Sequence, residues 1–216
     1  MKNRIGLLGG TFNPVHLGHI ELGQKIMTSF GLDRIFYILS ARPPHKRAMV
    51  MPPAGFRFKM LQKALEPYPE LVPCDIEMKR DGLSWTIDTV AELKKLNPGS
   101  RFFFISGSEG FLNIRTWKNY RELLKSLSFI VVLRKEGSKM RVENLLSEEN
   151  IPWTEDIDRP GDHPGVYIYA YDSPRLSLSS TLIRERIKEG QAIGELVGAE
   201  VKKIMEENRL YENEQF

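Results

Sequence analysis

Two histidines three residues apart, His16 and His19, follow a glycine pair in the segment Gly9-Gly10-Thr11-Phe12-Asn13-Pro14-Val15-His16-Leu17-Gly18-His19. The segment comes straight after the apolar run Ile5-Gly6-Leu7-Leu8, so it reads as a strand running into a loop that opens a helix. Ile20, Gly23, Met27 and Phe30 continue at helical spacing until Gly31 stops it. Paired glycines let backbone N–H groups approach a ligand that a β-carbon would hold off. The positive end of a helix beside two imidazoles suits an anion, which makes phosphate binding the chemistry this stretch points to. A tight strand-to-helix turn with ordinary histidines is the competing reading. Gly6, Gly9 and Gly10 do not fit the Gly-x-Gly-x-x-Gly dinucleotide fingerprint, and the Gly-Lys-Ser/Thr of a Walker loop is missing, so redox Rossmann and P-loop chemistry are excluded.

Two further segments carry candidate phosphate ligands. Arg42-Pro43-Pro44-His45-Lys46-Arg47 is a stiff basic loop in which Lys46 could set a mobile charge on a polyphosphate, or be part of a solvated turn. Leu178-Ser179-Ser180-Thr181-Leu182-Ile183-Arg184 puts three hydroxyls at a helix start and an arginine one turn in. Helix capping alone would account for the hydroxyls.

These segments need a scaffold. Apolar runs at 5–8, 35–39, 72–78, 102–105, 129–133 and 166–169 alternate with helical patterns near 18–30, 54–66, 84–96, 119–126, 139–147, 180–189 and 195–207. That βαβ rhythm predicts an α/β fold, a Rossmann-like doubly wound, mostly parallel sheet with helices on both faces. Phe102-Phe103-Phe104-Ile105 and Phe129-Ile130-Val131-Val132 lack polar alternation, as central strands buried on both sides do. The ligand crevice of such a sheet lies beyond the carboxyl ends of its strands, so each motif should fall just after one. At 216 residues the chain is expected to be a single domain spanning 1–216.

Composition narrows the partners. Lys and Arg total 31 against 28 acidic residues, a net +3 without a basic block, which argues against nucleic acid. Cys74 is the sole cysteine, so neither an internal disulfide nor a multi-thiolate metal site can form. No run approaches a membrane span and the first apolar run is too short for a signal peptide, so a soluble cytoplasmic protein is expected. Whether it forms a homo-oligomer is left open.

The first segment resembles the His-x-Gly-His signature of the nucleotidylyltransferase superfamily, and Ser179, Thr181 and Arg184 resemble its second signature, Ser-x-Thr-x-x-Arg. Across nearly its full length the chain is similar to the bacterial nicotinate-nucleotide adenylyltransferase family. The selecting features are Pro-Pro-His-Lys at 43–46, Ser84-Trp85-Thr86-Ile87-Asp88-Thr89 opening a helix, Gly107-Ser108-Glu109 after the fourth strand, and Trp117. The resemblance implies transfer of AMP from ATP to nicotinate mononucleotide, releasing pyrophosphate without a covalent enzyme intermediate. It gives catalytic roles to His16, His19, Lys46 and Arg184, with His19 the candidate for the α-phosphate. ATP contacts are implied for Gly9, Gly10, Thr11, Phe12, Gly107, Glu109, Arg134, Ser179 and Thr181. The acceptor nucleotide is implied to lie against Trp85, Thr86 and Trp117, the last stacking on its pyridine ring.

Near a triphosphate both histidines are expected to favour the charged form. Mg2+ is expected to arrive with ATP, held by phosphate oxygens and water, with no all-protein metal site. Three positions depart from the family pattern: Asn13 and Glu109 stand where Asp is usual, and Trp85 where Tyr is usual. A sister adenylyltransferase using nicotinamide mononucleotide or phosphopantetheine, and a nucleotide sensor without catalysis, are the alternatives.

Overall fold

The computed structural model of the chain describes residues 3–44, 51–133, 137–156, 164–175 and 177–212. In chain order the elements are β1 (Arg4–Gly10), α1 (Leu17–Phe30), β2 (Arg34–Leu39), α2 (Ala54–Leu65), β3 (Leu71–Cys74), α3 (Thr86–Leu96) and β4 (Arg101–Gly107). They continue with α4 (Ser108–Phe111), α5 (Tyr120–Ser126), β5 (Ser128–Leu133), α6 (Ser138–Glu148), β6 (Trp153–Thr154), β7 (Val166–Ala170), α7 (Ser180–Lys188), α8 (Gly194–Val197) and α9 (Ala199–Glu207).

The unbroken apolar runs take the interior of the sheet because they have an apolar side chain for each face. On β4, Phe102 and Phe104 join Phe129 and Val131 of β5 in one core, while Phe103 and Ile105 join Ile130 and Val132 in the other. Helices α1, α2, α7 and α9 close the second of these cores, and α3, α5 and α6 close the first. The described strands run in the order β3-β2-β1-β4-β5-β7-β6, and every pairing is parallel, for instance Leu7 beside Phe36 and Phe104. The expected doubly wound α/β sheet is therefore present. Its winding reverses between β1 and β4, where the carboxyl ends of neighbouring strands splay to leave a crevice.

Four local differences from the sequence pattern have physical reasons. The third strand stops at Cys74 rather than 78, because the chain turns there with Met78 N–H on Asp75 O at 2.8 Å, and Lys79 pairs with Asp75. The last helical pattern is broken at Gly198, whose φ of 83° is left-handed and divides α8 from α9. Helix α4 and strand β6 have four and two residues, too short for a periodic signal.

Candidate functional site

A cleft of about 680 Å³ opens over the carboxyl ends of β1 and β4, a size in the usual range for nucleotide-sized ligands. Gly9, Gly10, Thr11, His19, Trp85, Thr86, Gly107 and Trp117 all line it, although they come from four separate stretches of chain. Those stretches follow β1, β3 and β4 as the topology requires.

The phosphate-loop end is built by the first turn of α1. His16 is its N-cap in extended conformation and is buried, with its ring 3.7 Å from that of His19 and tilted by 34°. The His16 backbone N–H donates to Nδ1 of His19 at 3.2 Å. An N–H can only donate, so Nδ1 carries the lone pair and the proton of a neutral His19 ring sits on Nε2. The charged His19 expected beside a triphosphate has to give this bond up.

Phe12 adopts φ 42°, a strained backbone for a bulky residue. Its ring is buried, edge-on to His19 at 5.1 Å and 5.9 Å from the ring of Tyr37. The Phe12 side chain thus supports His19 from below, and only its main chain remains to meet a ligand. Tyr37 is wholly buried, and its hydroxyl donates to the carbonyl of His19 at 2.8 Å. Burial raises the pKa of this phenol, so it stays a donor.

The second signature packs against the first rather than lining the cleft. Arg184 Nη1 donates to Asn13 O at 2.7 Å and Nη2 to Thr181 Oγ1 at 3.2 Å, while Ser180 Oγ donates to Pro14 O at 2.8 Å. The Ser179 hydroxyl caps α7, accepting from Leu182 N–H at 3.1 Å, so the capping reading of that residue holds. Glu109 lies on the exposed side of α4, outside the cleft wall. Lys46 and Arg134 lie outside the described residues.

At the acceptor end Trp117 follows a short 3-10 turn, Ile114–Thr116, and rests edge-on against Phe104 with centroids 5.5 Å apart. Two ion-pair groups fix this corner. Arg115 bonds Glu149 at 2.7 Å and Glu148 at 2.8 Å, and Lys118 pairs with Asp88 in the first turn of α3 at 3.0 Å. The Arg115 guanidinium, with Tyr120 hydroxyl assisting, holds the Glu149 carboxyl below its usual pKa. Ser84 and Arg42 bond reciprocally, each backbone N–H donating across at 3.0 Å, to Oγ of Ser84 and to O of Arg42. The wall bearing Trp85 and Thr86 is thereby joined to the loop after β2.

Among the residues of the site that sequence spacing passed over, three are charged. Lys118 and Glu77 line the cleft, with Thr89 Oγ1 donating to Glu77 Oε1 at 2.7 Å. Arg57 lies behind the phosphate loop, and its signal was available: it shares the buried face of α2 with Met60, Leu61 and Leu65, where an arginine is out of place. Among the described residues no three His, Cys, Asp or Glu side chains converge as a metal cluster, and no helix is long and apolar enough to cross a membrane.

The cytidylyltransferase-like family model matches residues 7–186. The chain is 38% identical over 208 residues to the probable nicotinate-nucleotide adenylyltransferase of Carboxydothermus hydrogenoformans, covering 96% of this chain and 98% of that one. It is 32% identical over 210 residues to the probable nicotinate-nucleotide adenylyltransferase of Desulfitobacterium hafniense, covering 96% and 95%. Its fold overlays that of Plasmodium falciparum nicotinic acid mononucleotide adenylyltransferase complexed with NaAD at a TM-score of 0.74, across 97% of each chain and with 17% identity. Similarity of this extent, over the same residues that build the cleft, shows that the chain belongs to the nicotinate-nucleotide adenylyltransferase family.

Proposed function

We propose that this protein transfers AMP from ATP to nicotinate mononucleotide, producing nicotinate adenine dinucleotide and pyrophosphate. One observation carries the reading: a single cleft has an imidazole on a helix N-terminus at one end and an indole beside a second helix start at the other. That is a place for two nucleotides to meet with their phosphates between them. The acceptor's 5′-phosphate is already a nucleophile, so the protein's task is to align two polyanions and neutralise charge on the bridging and leaving oxygens. The new P–O bond forms at the α-phosphorus as the bond to pyrophosphate breaks.

In this reading His19 donates from Nε2 to the α-phosphate, and His16, buried behind it, acts by fixing its tautomer and tilt. The Gly9–Phe12 main chain receives the triphosphate. Arg184 holds the Asn13 peptide of that loop, with Ser179 and Thr181 at the adjoining helix start. Trp117 stacks on the pyridine ring while Trp85 and Thr86 form the facing wall. Lys46, Arg134 and Gly107 complete the ATP side, as the resemblance implies, whereas Glu109, given the same role by the resemblance, lies outside the cleft wall. Magnesium enters with ATP, its ligands being phosphate oxygens and water. EDTA should abolish turnover and added Mg2+ restore it. The 216 residues act as one domain in the cytoplasm, a setting that suits the single free Cys74.

The test is pyrophosphate release by purified protein with ATP and Mg2+, offered nicotinate mononucleotide, nicotinamide mononucleotide or phosphopantetheine. Fast release with the first supports the reading. Release with phosphopantetheine alone moves the protein to a sister activity, and ATP binding without release with any acceptor makes it a sensor.

A further inference from the structure

An anion loop works only if its carbonyls turn away from the ligand and its N–H groups turn toward it. Three carbonyls of the β1 loop are held from outside: Thr11 O by Arg57 at 2.8 Å, Asn13 O by Arg184 at 2.7 Å and Pro14 O by Ser180 at 2.8 Å. In a planar trans peptide the C=O and N–H point in opposite directions. Fixing Thr11 O toward α2 therefore turns the Phe12 N–H the other way. Neither the Thr11 nor the Phe12 N–H has a hydrogen-bond partner among the described residues, and Thr11 lines the cleft. The strained φ of 42° at Phe12 persists only where its surroundings impose it, and the Arg57 bond is such a constraint.

Arg57 is only 2% exposed. Its guanidinium also donates to Pro52 O at 2.9 Å, Ser40 O at 3.0 Å and Ala41 O at 3.3 Å, so one rigid fork spans the β1 loop, the loop after β2 and the entry to α2. No carboxylate among the described residues pairs with it. The main-chain carbonyls leave its charge unneutralised, and burial pulls its pKa down while the nearby Tyr211 phenol opposes that. A buried guanidinium without a counter-ion is a costly choice for holding loops together. Placed behind a loop that receives a tetra-anion, the same charge gains a purpose.

We propose that Arg57 is a positioning residue for the triphosphate: through the Thr11 carbonyl it keeps the Phe12 N–H aimed into the cleft, and its charge adds to the field there. A planar fork cannot be replaced by an ammonium, which can satisfy only some of these carbonyls. The inference rests on the adenylyltransferase reading for its ligand, ATP.

The experiment compares wild type with Arg57→Lys and Arg57→Gln, both checked for folding by circular dichroism. MgATP affinity is measured by calorimetry without acceptor, and nicotinate mononucleotide affinity by tryptophan fluorescence. Arg57→Lys should weaken ATP about tenfold, the scale of one charge-assisted hydrogen bond, and Arg57→Gln more, since it also loses the charge. Acceptor affinity should stay within about twofold, and kcat/KM for ATP should fall with the ATP affinity. Unchanged ATP affinity in a folded variant overturns the proposal, as does equal weakening of both substrates, which would mean general loosening. If neither variant folds even in the cold, Arg57 serves the fold and the proposal fails. Should wild type bind ATP more tightly than the variants yet release pyrophosphate with no acceptor, the reaction reading fails while this one stands.

Discussion

Gly23→Ala should destabilise this protein, against the usual sign for that change inside a helix. Alanine is favoured over glycine in a helix interior by about 1 kcal/mol. Here, however, a Cβ on residue 23 would lie 2.0 Å from the Tyr37 hydroxyl oxygen and 3.0 Å from its Cζ. Contact at normal separation requires the phenol to retreat by about 1.5 Å, yet Tyr37 is wholly buried, in an interior packed as densely as an organic crystal. Overpacking of this kind costs about 1–3 kcal/mol. The retreat also breaks the 2.8 Å bond to His19 O and strands a buried hydroxyl, about 1–3 kcal/mol more. The net is about 3 kcal/mol of destabilisation after the propensity gain, or a Tm lower by about 6–12 °C in a chain of this length. Thermal and urea melts measure it. Tyr37→Phe should rescue Gly23→Ala in part, because the atom in closest conflict is gone, giving a coupling of at least about 1 kcal/mol in the double-mutant cycle. A Gly23→Ala protein that melts at or above the wild-type temperature, or additive effects in the cycle, would refute the account of α1 as a helix seated on the Tyr37 hydroxyl.

Three other perturbations report on the site and its supports. His19→Ala should lower turnover by about 100-fold or more, the scale for loss of one transition-state donor; near-normal pyrophosphate release from the folded variant would remove it from the chemistry. Trp117→Ala should raise the acceptor KM by about five- to tenfold through lost stacking while leaving the ATP KM unchanged, and an unaltered acceptor KM would take it out of the site. Glu149→Gln concerns pH. The Glu149 carboxyl is held below its ordinary value by Arg115. Its contribution to stability is therefore present above the unfolded carboxylate pKa and is lost as pH falls through the folded one. The variant should melt below wild type at neutral pH, with the two curves converging as pH falls through the depressed pKa of the folded Glu149 carboxyl; curves that stay parallel throughout the acid titration would show that the Arg115 bond does not matter to stability.

What could be read from the sequence divides along a physical line. Phe102–Ile105 and Phe129–Val132 announced central strands because a strand covered on both faces has no polar positions, and burial of both residue sets bears that out. The limits of β3 and the break at Gly198 were hidden because each depends on a tertiary fact, a turn stabilised at the sheet edge in one and a backbone reversal in the other. The site follows the same division. His19, Thr11, Trp85, Thr86, Gly107 and Trp117 come together because each follows the carboxyl end of a strand, and topology then gathers them. Spacing could not tell His16 from His19, or Phe12 from Thr11, since all four belong to one motif; the register of α1 decides between the histidines, and the backbone of the loop before it between Thr11 and Phe12. A motif constrains the residues that hold a ligand and those that hold the loop with equal force, so its letters alone mix the two. Burial separates them: Phe12, His16 and Arg57 are enclosed while Thr11 and His19 line the cleft. Arg57 falls outside the motif altogether, yet it bonds the motif's own main chain. The phosphate loop is therefore completed by a residue that its sequence signature does not contain.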